Sequence, residues 1–311
     1  MVKSLRTILR LLSFMSLLIY PFTNKFLSLI KGEKMITNEY INRAINYILN
    51  HINENISVDD IASHCNFSRF YFSRMFKVET GESIYEFIKR VKMEQSAFRL
   101  KVEKGRSITD ISYDYGYSSS NYSSAFKQHH NLSPIQFRRS IMQKSLINPI
   151  FSDASIGLES FEECDKKISI EVLEDCLAIY QRHKGNYGDL SEHWGAFQEK
   201  YKEYITEITL FLERTYDDQS ITNIDECLYD ICITAPEGCT LENTYVLKGG
   251  KFVIYHFKGL VYQIYSSYQS VFNVWLPQSN FEIDDRYGFE IYRKIDCDSM
   301  HMEIDLCIPI K

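Results

Sequence analysis

The chain repeats itself at an offset of fifty residues, and this repeat restricts its N-terminal half to one kind of architecture. Residues 57–87 align without gaps on residues 107–137, with nine identical pairs. Each copy opens with Ser-x-x-Asp, a pattern that caps the start of a helix. Each then places Asn66 or Gly116 where a tight turn needs a residue that tolerates left-handed backbone. The sequence therefore predicts two helix-turn-helix units in tandem.

The second helix of each unit is amphipathic. Ser68 and Ser118 are predicted to cap these helices, and aromatic residues four positions apart are predicted to face the core. The opposite faces are polar and can lie in the major groove of DNA. They carry Arg69, Tyr71, Ser73, Arg74 and Lys77 in the first unit and Ser119, Ser120, Asn121, Ser123, Ser124 and Lys127 in the second.

A helix without Gly or Pro is predicted between the two units, over residues 83–100. Its ~18 residues would span ~27 Å at 1.5 Å per residue. Such a spacer can hold two recognition helices near the ~34 Å between successive turns of one DNA face. The alternative is a plain helical bundle with solvated polar faces.

Residues 38–140 resemble the DNA-binding module of AraC/XylS-type transcription regulators. The resemblance is carried by IASHCNFSRFYFSRMFKVETGES and by ISYDYGYSSSNYSSAFKQHHNLSPIQFRR. It implies double-stranded promoter DNA as a partner and is compatible with a contact to RNA polymerase. Base edges would be reached by Phe70, Ser73 and Arg74 in one groove and by Ser119, Ser120, Ser123 and Ser124 in the next. Ser124 stands where the family often has an arginine, which predicts weaker readout by the second unit.

Net charge differs in sign between the two halves of the chain, which predicts that they have different partners. Residues 1–34 carry a net charge of +5, residues 35–145 carry +4, and residues 146–311 carry −15. The sequence predicts an N-terminal extension at 1–34, a DNA-binding domain at 35–141, a linker at 142–160 and a second domain at 161–311. Oppositely charged halves are typical of domains that bind different molecules.

The N-terminal extension is apolar but is broken by Arg10, Ser13 and Ser16. Its uninterrupted apolar runs are shorter than the ~20 residues of a spanning helix, so no membrane partner is expected. No cleavage site of a secretory signal follows it. The favoured interpretation is that translation starts at Met35, with a membrane anchor as the alternative. Eight scattered cysteines without a CxxC pair favour free thiols and a cytoplasmic location.

The acidic half alternates strands with helices. Runs such as LYDICITA and KFVIYHFKG are typical of strands, and DLSEHWGAFQEKYKEYI is typical of a helix. Lys184-Gly185 and Lys258-Gly259 each precede a helix, which predicts two strand–helix–strand modules. The fold class is therefore multidomain, with an all-α tandem helix-turn-helix domain followed by an α+β domain. In that second domain we expect one antiparallel sheet, with helices on one face and a cleft between the modules.

Residues 166–311 resemble GyrI-like effector-binding domains of the Rob and BmrR type. The resemblance rests on short segments in a specific order, among them Gly185-Asn-Tyr187, Tyr216-Asp217-Asp218, Trp275-Leu-Pro277 and Phe289-Glu-Ile-Tyr292. Gln219 stands where a proline usually follows the Tyr-Asp-Asp run. The resemblance implies a domain that binds a small-molecule effector.

A carboxylate among aromatic residues is the chemical signal in this half. Glu290 lies in a predicted strand between Phe289 and Ile291, and Glu303 lies on the next strand. A carboxylate in an apolar cleft is costly unless a positive group meets it, and a hydrophobic cation that stacks on aromatic rings would do so. By resemblance, Glu290 is the ligand-binding acid, and the candidate walls of its site are Tyr187, Trp194, Tyr255, Tyr268, Trp275 and Tyr292.

The sequence thus predicts a transcription regulator that senses a small cationic or amphipathic molecule. No metal-ligand spacing, Gly-rich phosphate loop or Ser-His-Asp arrangement occurs, so we expect no metal, no cofactor and no enzymatic activity. Two alternatives stay open. The second domain could hydrolyse a small molecule with Glu290 as general base, or it could bind no ligand and dock a protein partner through its acidic surface.

Overall fold

The computed structural model describes residues 34–149, 156–187, 190–296 and 299–311. A helical domain comes first and an antiparallel-sheet domain follows it, which confirms the predicted fold class. Almost all of the predicted extension at 1–34 lies outside the described residues. In the part that is described, no helix is long and apolar enough to cross a membrane.

Seven helices build the first domain. Their bounds are α1 Glu39–Asn50, α2 Val58–His64, α3 Arg69–Thr80, α4 Ile84–Val102, α5 Ile108–Asp114, α6 Ser119–His130 and α7 Pro134–Lys144. The pairs α2–α3 and α5–α6 are the two predicted helix-turn-helix units, and α4 is the predicted connecting helix. Buried Phe72, Phe76, Tyr122 and Phe126 join one hydrophobic core, as the four-residue spacing predicts.

The turns inside the two units follow the sequence prediction closely. Asn66 and Gly116 have left-handed backbone, with φ of 61° and 78°. Ser57 forms a capping box with Asp60 at the start of α2. Ser118 accepts a hydrogen bond from the Asn121 amide at 3.4 Å. The prediction for Ser68 is wrong in one respect, because Ser68 occupies the cap position of α3 but its side chain makes no capping hydrogen bond.

The second domain is one antiparallel sheet with helices beside it. The strands are β1 Lys34–Ile36, β2 Ile168–Leu173, β3 Cys176–Lys184, β4 Phe211–Thr215, β5 Leu228–Thr234, β6 Thr244–Leu247, β7 Gly250–Leu260, β8 Phe289–Asp296 and β9 His301–Pro309. Their order is β1-β3-β5-β4-β8-β9-β7-β2, and β6 pairs with β3. The helices are α8 Phe161–Asp165, α9 Leu190–Lys200 and α10 Ile264–Ser270, with a π-helical segment at Val271–Trp275 and α11 at Leu276–Gln278.

Alternation along the strands separates two hydrophobic layers. On β8, Phe289 and Ile291 belong to a cluster on one face of the sheet, whereas Tyr292 packs with residues of the helix-covered face. Glu290 shares the face of Tyr292 because side chains two positions apart on a strand point the same way. The Glu290 side chain therefore faces the helices.

The two domains form a continuous body. Strand β1 precedes the helical domain in the chain but pairs with β3 of the sheet. Tyr216, Ile221 and Leu228 of the sheet domain pack into the hydrophobic core of the helical domain. Arg182 on β3 is fully buried and donates to both carboxylate oxygens of Asp230, at 2.8 and 2.7 Å.

Candidate functional site

The first recognition helix, α3, presents its polar face to solvent. Arg69, Phe70, Arg74 and Lys77 are exposed, and Ser73 is half-buried. Phe70 is 83% exposed, which is unusual for a phenylalanine and leaves its ring available to a partner. Arg69 is held by an ion pair with Asp59 on α2, at 3.0 Å.

The second recognition helix, α6, is equally open but carries fewer charges. All six residues predicted to contact DNA on this helix are exposed, namely Ser119, Ser120, Asn121, Ser123, Ser124 and Lys127. Of these, only Lys127 is basic, whereas α3 presents Arg69, Arg74 and Lys77 on the matching face. DNA contact by these residues stays a prediction, and the charge difference favours α3 as the stronger contact.

A cavity of about 320 Å³ lies between the helical domain and the helix-covered face of the sheet. One wall comes from α4, the floor from β4 and β8, and another wall from α10 and the π-helical segment that follows it. The volume is in the range of small-molecule sites. The structure therefore places the candidate ligand site at the domain interface.

Two glutamates lie side by side on the floor of this cavity. Glu213 on β4 and Glu290 on β8 are directly opposite each other in the antiparallel register, and both line the cavity. Glu213 is 3% and Glu290 is 6% exposed. Side chains of such cross-strand neighbours are close together on the same face. The floor thus concentrates negative charge in a buried place.

Tyrosine hydroxyl groups hold both carboxylates. Tyr268 donates to Glu290 Oε1 at 2.9 Å, and Tyr292 donates to Glu213 Oε2 at 2.7 Å. Burial raises the pKa of Glu290 to about 7, and the Tyr268 hydrogen bond opposes this rise in part. Near neutral pH the Glu290 carboxylate can therefore be protonated or ionised, and a cation would favour the ionised form.

Four of the eight residues predicted to bind the ligand line the cavity: Tyr187, Tyr268, Glu290 and Tyr292. Among the described residues, the buried hydroxyl of Tyr187 has no hydrogen-bond partner. A buried polar atom without a partner is rare and is available to a ligand. Their role in ligand binding stays a prediction, but the structure brings these four residues together.

The structure places the other four predicted residues away from the cavity lining. Trp194 is buried behind Tyr292, with the two rings edge to face. Tyr255 donates to Glu159, and the Trp275 indole donates to Asp165 at 2.9 Å. Glu303 lies on β9 with its side chain 38% exposed and pairs with Lys258.

Sequence reasoning missed the wall formed by the helical domain. Glu94, Gln95, Phe98 and Arg99 of α4 line the cavity. It also missed Glu213, because the five residues of β4 were not recognised as a strand. The signal was present in Phe-Leu-Glu-Arg-Thr, whose alternation places Phe211 and Glu213 on one face.

The cavity lining is strongly acidic. Its described residues include two arginines and seven carboxylates, and the carboxylates are Glu94, Glu213, Asp217, Asp218, Asp284, Asp285 and Glu290. Both arginines already pair with carboxylates, Arg99 with Asp285 and Arg286 with Asp284. Burial, followed by the charge of Glu94, raises the pKa of Asp217 to about 7. From outside the lining, Arg90 also pairs with Glu94 and Lys101 with Asp218, so four of the seven carboxylates are neutralised by ion pairs.

Comparison with known proteins decides the family. A model described as a helix-turn-helix domain matches residues 41–140, and one described as a GyrI-like small molecule binding domain matches residues 166–311. The probable transcription factor PqrA of Proteus vulgaris is 36% identical over 87 residues, which cover 28% of this chain and 70% of that protein. This chain belongs to the AraC/XylS family of transcription regulators.

Two other relatives show how far the likeness extends. The Msm operon regulatory protein of Streptococcus mutans is 35% identical over 116 residues, or 37% of this chain and 41% of that protein. The chain thus spans less than half the length of that relative. The right origin-binding protein of Escherichia coli K12 is 23% identical over 289 residues, or 84% of this chain and 94% of that protein.

In this AraC/XylS-family chain, the family matches coincide with structural units. The helix-turn-helix match begins in α1 and ends in α7, and the GyrI-like match contains β2 to β9. Strand β1 lies outside both matches although it belongs to the sheet. The predicted domain boundaries stay predictions, and α7 continues to Lys144, beyond the predicted end at residue 141.

Proposed function

We propose that this protein binds promoter DNA through α3 and α6, and that a small lipophilic cation in the interdomain cavity controls its effect on transcription. Matches to a helix-turn-helix domain and to a small molecule binding domain support the two parts of this proposal. Exposed polar faces on both recognition helices support DNA binding.

The observation that carries the choice of ligand is the Glu290 carboxylate on the cavity floor. It is buried, and its hydrogen bond comes from a neutral tyrosine hydroxyl. Within the described part of the chain, no ion pair to Glu290 is formed by a lysine or arginine. An ionised carboxylate in such a place gains most from a ligand that supplies the missing positive charge and buries apolar surface. The rings of Tyr268 and Phe272 stack 5.9 Å apart and can form a face for the apolar part.

We further propose that the cavity binds its ligand without converting it. The cavity is attached to two DNA-recognition helices, and α4 of that same domain forms one of its walls. Ligand binding in this position can therefore change the DNA-binding domain. Contact with RNA polymerase stays a prediction.

The test compares a cation with a neutral molecule of similar shape on the full-length protein. Isothermal titration calorimetry would use tetraphenylphosphonium and triphenylphosphine oxide, with Glu290→Gln as the variant. We expect wild type to bind the cation, and Glu290→Gln to weaken this binding about ten- to a hundred-fold, because the charge–charge attraction between the cation and the buried carboxylate, roughly 1.5–3 kcal/mol at an effective dielectric constant of about 20, is lost. The affinity for the neutral molecule should change little with the substitution.

Two results would overturn the proposal. One is equal affinity of wild type and Glu290→Gln for the cation, which would make the carboxylate structural. The other is chemical change of the bound molecule. Mass spectrometry of the compound after incubation with stoichiometric protein should return it unaltered, and accumulation of a product would favour the hydrolase alternative. A duplex selected from a random library should bind wild type and Glu290→Gln equally in the absence of ligand, because Glu290 is not on a recognition helix.

A further inference from the structure

Helix α4 belongs to the DNA-binding domain but takes part in the candidate ligand site. Its residues Gln95 and Phe98 line the cavity. Both are half-buried, so parts of their side chains are open to the cavity. A ligand that fills this space would touch both domains at once.

Phe98 continues the aromatic surface of the cavity. Its ring meets Phe272 edge to face at 5.1 Å between centroids. Phe272 in turn stacks on Tyr268, whose hydroxyl donates to Glu290. A continuous row of rings therefore leads from the DNA-binding domain to the carboxylate on the cavity floor. A cation paired with Glu290 and stacked on these rings would extend toward Phe98.

Contacts around the cavity fix α4 to the sheet domain. Gln95 donates to the Tyr216 carbonyl at 2.8 Å, and Arg99 donates to the Asp284 carbonyl at 2.8 Å. The buried Lys101 ammonium donates to Asp218 at 2.6 Å and to Gln269 at 2.7 Å. Asp218 and Gln269 also line the cavity. A ligand that shifts these residues therefore also shifts the attachment of α4.

The same helix positions both recognition helices. The Phe87 ring of α4 contacts Phe76 of α3 edge to face at 5.5 Å. Farther along α4, the Met93 carbonyl lies 3.3 Å from Nε2 of His130, at the end of α6. A change in the position of α4 would thus change the relative placement of α3 and α6. That placement sets the fit to successive major grooves.

We propose that Phe98 is a ligand-contacting, specificity-determining residue supplied by the DNA-binding domain, and that through it ligand binding and DNA binding are energetically coupled. This inference rests on the proposed function, since it needs a ligand in the cavity. It goes further because it assigns part of the ligand site to the domain that reads DNA. Coupling of this kind is reciprocal, so ligand and DNA change each other's affinity by the same factor.

The first experiment measures the affinity of tetraphenylphosphonium for the full-length protein by calorimetry. Phe98→Ala should weaken binding roughly ten-fold, which corresponds to about 1.4 kcal/mol for one desolvated aromatic contact with a cation. Phe98→Leu keeps apolar volume without the ring and should fall between wild type and Phe98→Ala. Tyr85→Ala is the matched control, because Tyr85 is an aromatic residue on the same helix but is exposed and outside the cavity.

The second experiment measures the affinity for a selected DNA duplex with and without saturating tetraphenylphosphonium. In wild type the two dissociation constants should differ at least about five-fold, the lower end of ordinary allosteric coupling. Glu290→Gln should need more ligand to saturate but should keep this ratio, because Glu290 lies in the sheet domain. Phe98→Ala should bring the ratio close to one. If Phe98 had only a structural role, Glu290→Gln and Phe98→Ala would not differ in this ratio of DNA dissociation constants.

The outcomes separate this inference from the proposed function. If wild type does not bind the cation, the sensor function is overturned, and this inference falls with it. If wild type binds and Glu290→Gln binds more weakly, while Phe98→Ala binds as wild type does, only the inference is overturned. If tetraphenylphosphonium did not change the DNA affinity of wild type, the coupling would be contradicted, but the assignment of the ligand site would still stand.

Discussion

Replacing Glu290 by glutamine should stabilise the unliganded protein at the same time as it weakens cation binding. The carboxylate is buried on the cavity floor, and its folded-state pKa is raised to about 7 from an ordinary 4.5, chiefly by burial. Glutamine has nearly the same shape and keeps an oxygen that can accept the hydrogen bond from Tyr268. Only the charge is removed, so the two effects have one cause.

The size of the stabilisation follows from the shift in pKa. A raised pKa means that the folded protein holds its proton more tightly than the unfolded chain does. The contribution of Glu290 to the free energy of unfolding therefore decreases as pH rises from about 4.5 to about 7, and it stays at this lower value above pH 7. The difference between the ordinary pKa of 4.5 and the folded-state pKa of about 7, at 1.36 kcal/mol per pKa unit, gives an upper limit of roughly 3–4 kcal/mol for the gain in unfolding free energy from Glu290→Gln.

Thermal unfolding of wild type and Glu290→Gln at pH 5 and at pH 8 measures this effect. The two proteins should unfold at similar temperatures at pH 5, and the variant should unfold at the higher temperature at pH 8. Glu303→Gln is the control, because the Glu303 carboxylate is partly exposed and paired with Lys258 on the neighbouring strand. If Glu290→Gln raised the unfolding temperature equally at both pH values, burial of the Glu290 charge would not be what destabilises the folded state.

Three further predictions concern the cavity, the recognition helix and the domain interface. Affinity for tetraphenylphosphonium should increase roughly five- to ten-fold in total as pH rises from 6 to 8, because the ionised form of Glu290 binds the cation more tightly than the protonated form does. Calorimetry at pH 6 and pH 8 tests this, and a flat profile would contradict it. Arg74→Ala should cost roughly 1–3 kcal/mol of DNA affinity if Arg74 reads a base. Ser124→Ala should cost less, and unchanged footprints of Arg74→Ala would refute the assignment. Lys101→Met should destabilise the protein by roughly 3–5 kcal/mol, because it leaves the Asp218 charge buried without its cation. Adding Asp218→Asn to Lys101→Met should recover much of the lost stability, measured by denaturant unfolding. A double variant that is no more stable than Lys101→Met would refute the reasoning.

Local rules made the helical domain predictable. The repeat located both helix-turn-helix units, and residue types with known backbone preferences located the turns at Asn66 and Gly116. The cap and turn residues of each unit lie within a few positions of each other, and the repeat compares the sequence with itself, so an isolated sequence is sufficient to detect both signals. The strand at β8 was also predicted, but only the fold shows that the face of Glu290, opposite to that of Phe289 and Ile291, is covered by helices.

Contacts between distant segments could not be predicted in the same way. The cavity combines Gln95 with Tyr216 and Glu213 with Glu290, and no local pattern joins residues so far apart in the chain. Trp194 and Trp275 illustrate the converse difficulty. A large aromatic residue fits a ligand wall and a hydrophobic core equally well, and only the fold shows that these two belong to the core.

Strand β1 has a consequence for how the protein is synthesised. The residues of β1 from Met35 onward leave the ribosome before any helix of the DNA-binding domain, but their partner strand β3 follows only after the whole of that domain. Pairings between segments so distant in the chain are completed late, after the local structure around them has formed. In a nascent chain that ends before residue 184, the N-terminal strand therefore lacks its partner strand. The two domains become one unit only when translation has passed β3 and its neighbour β5.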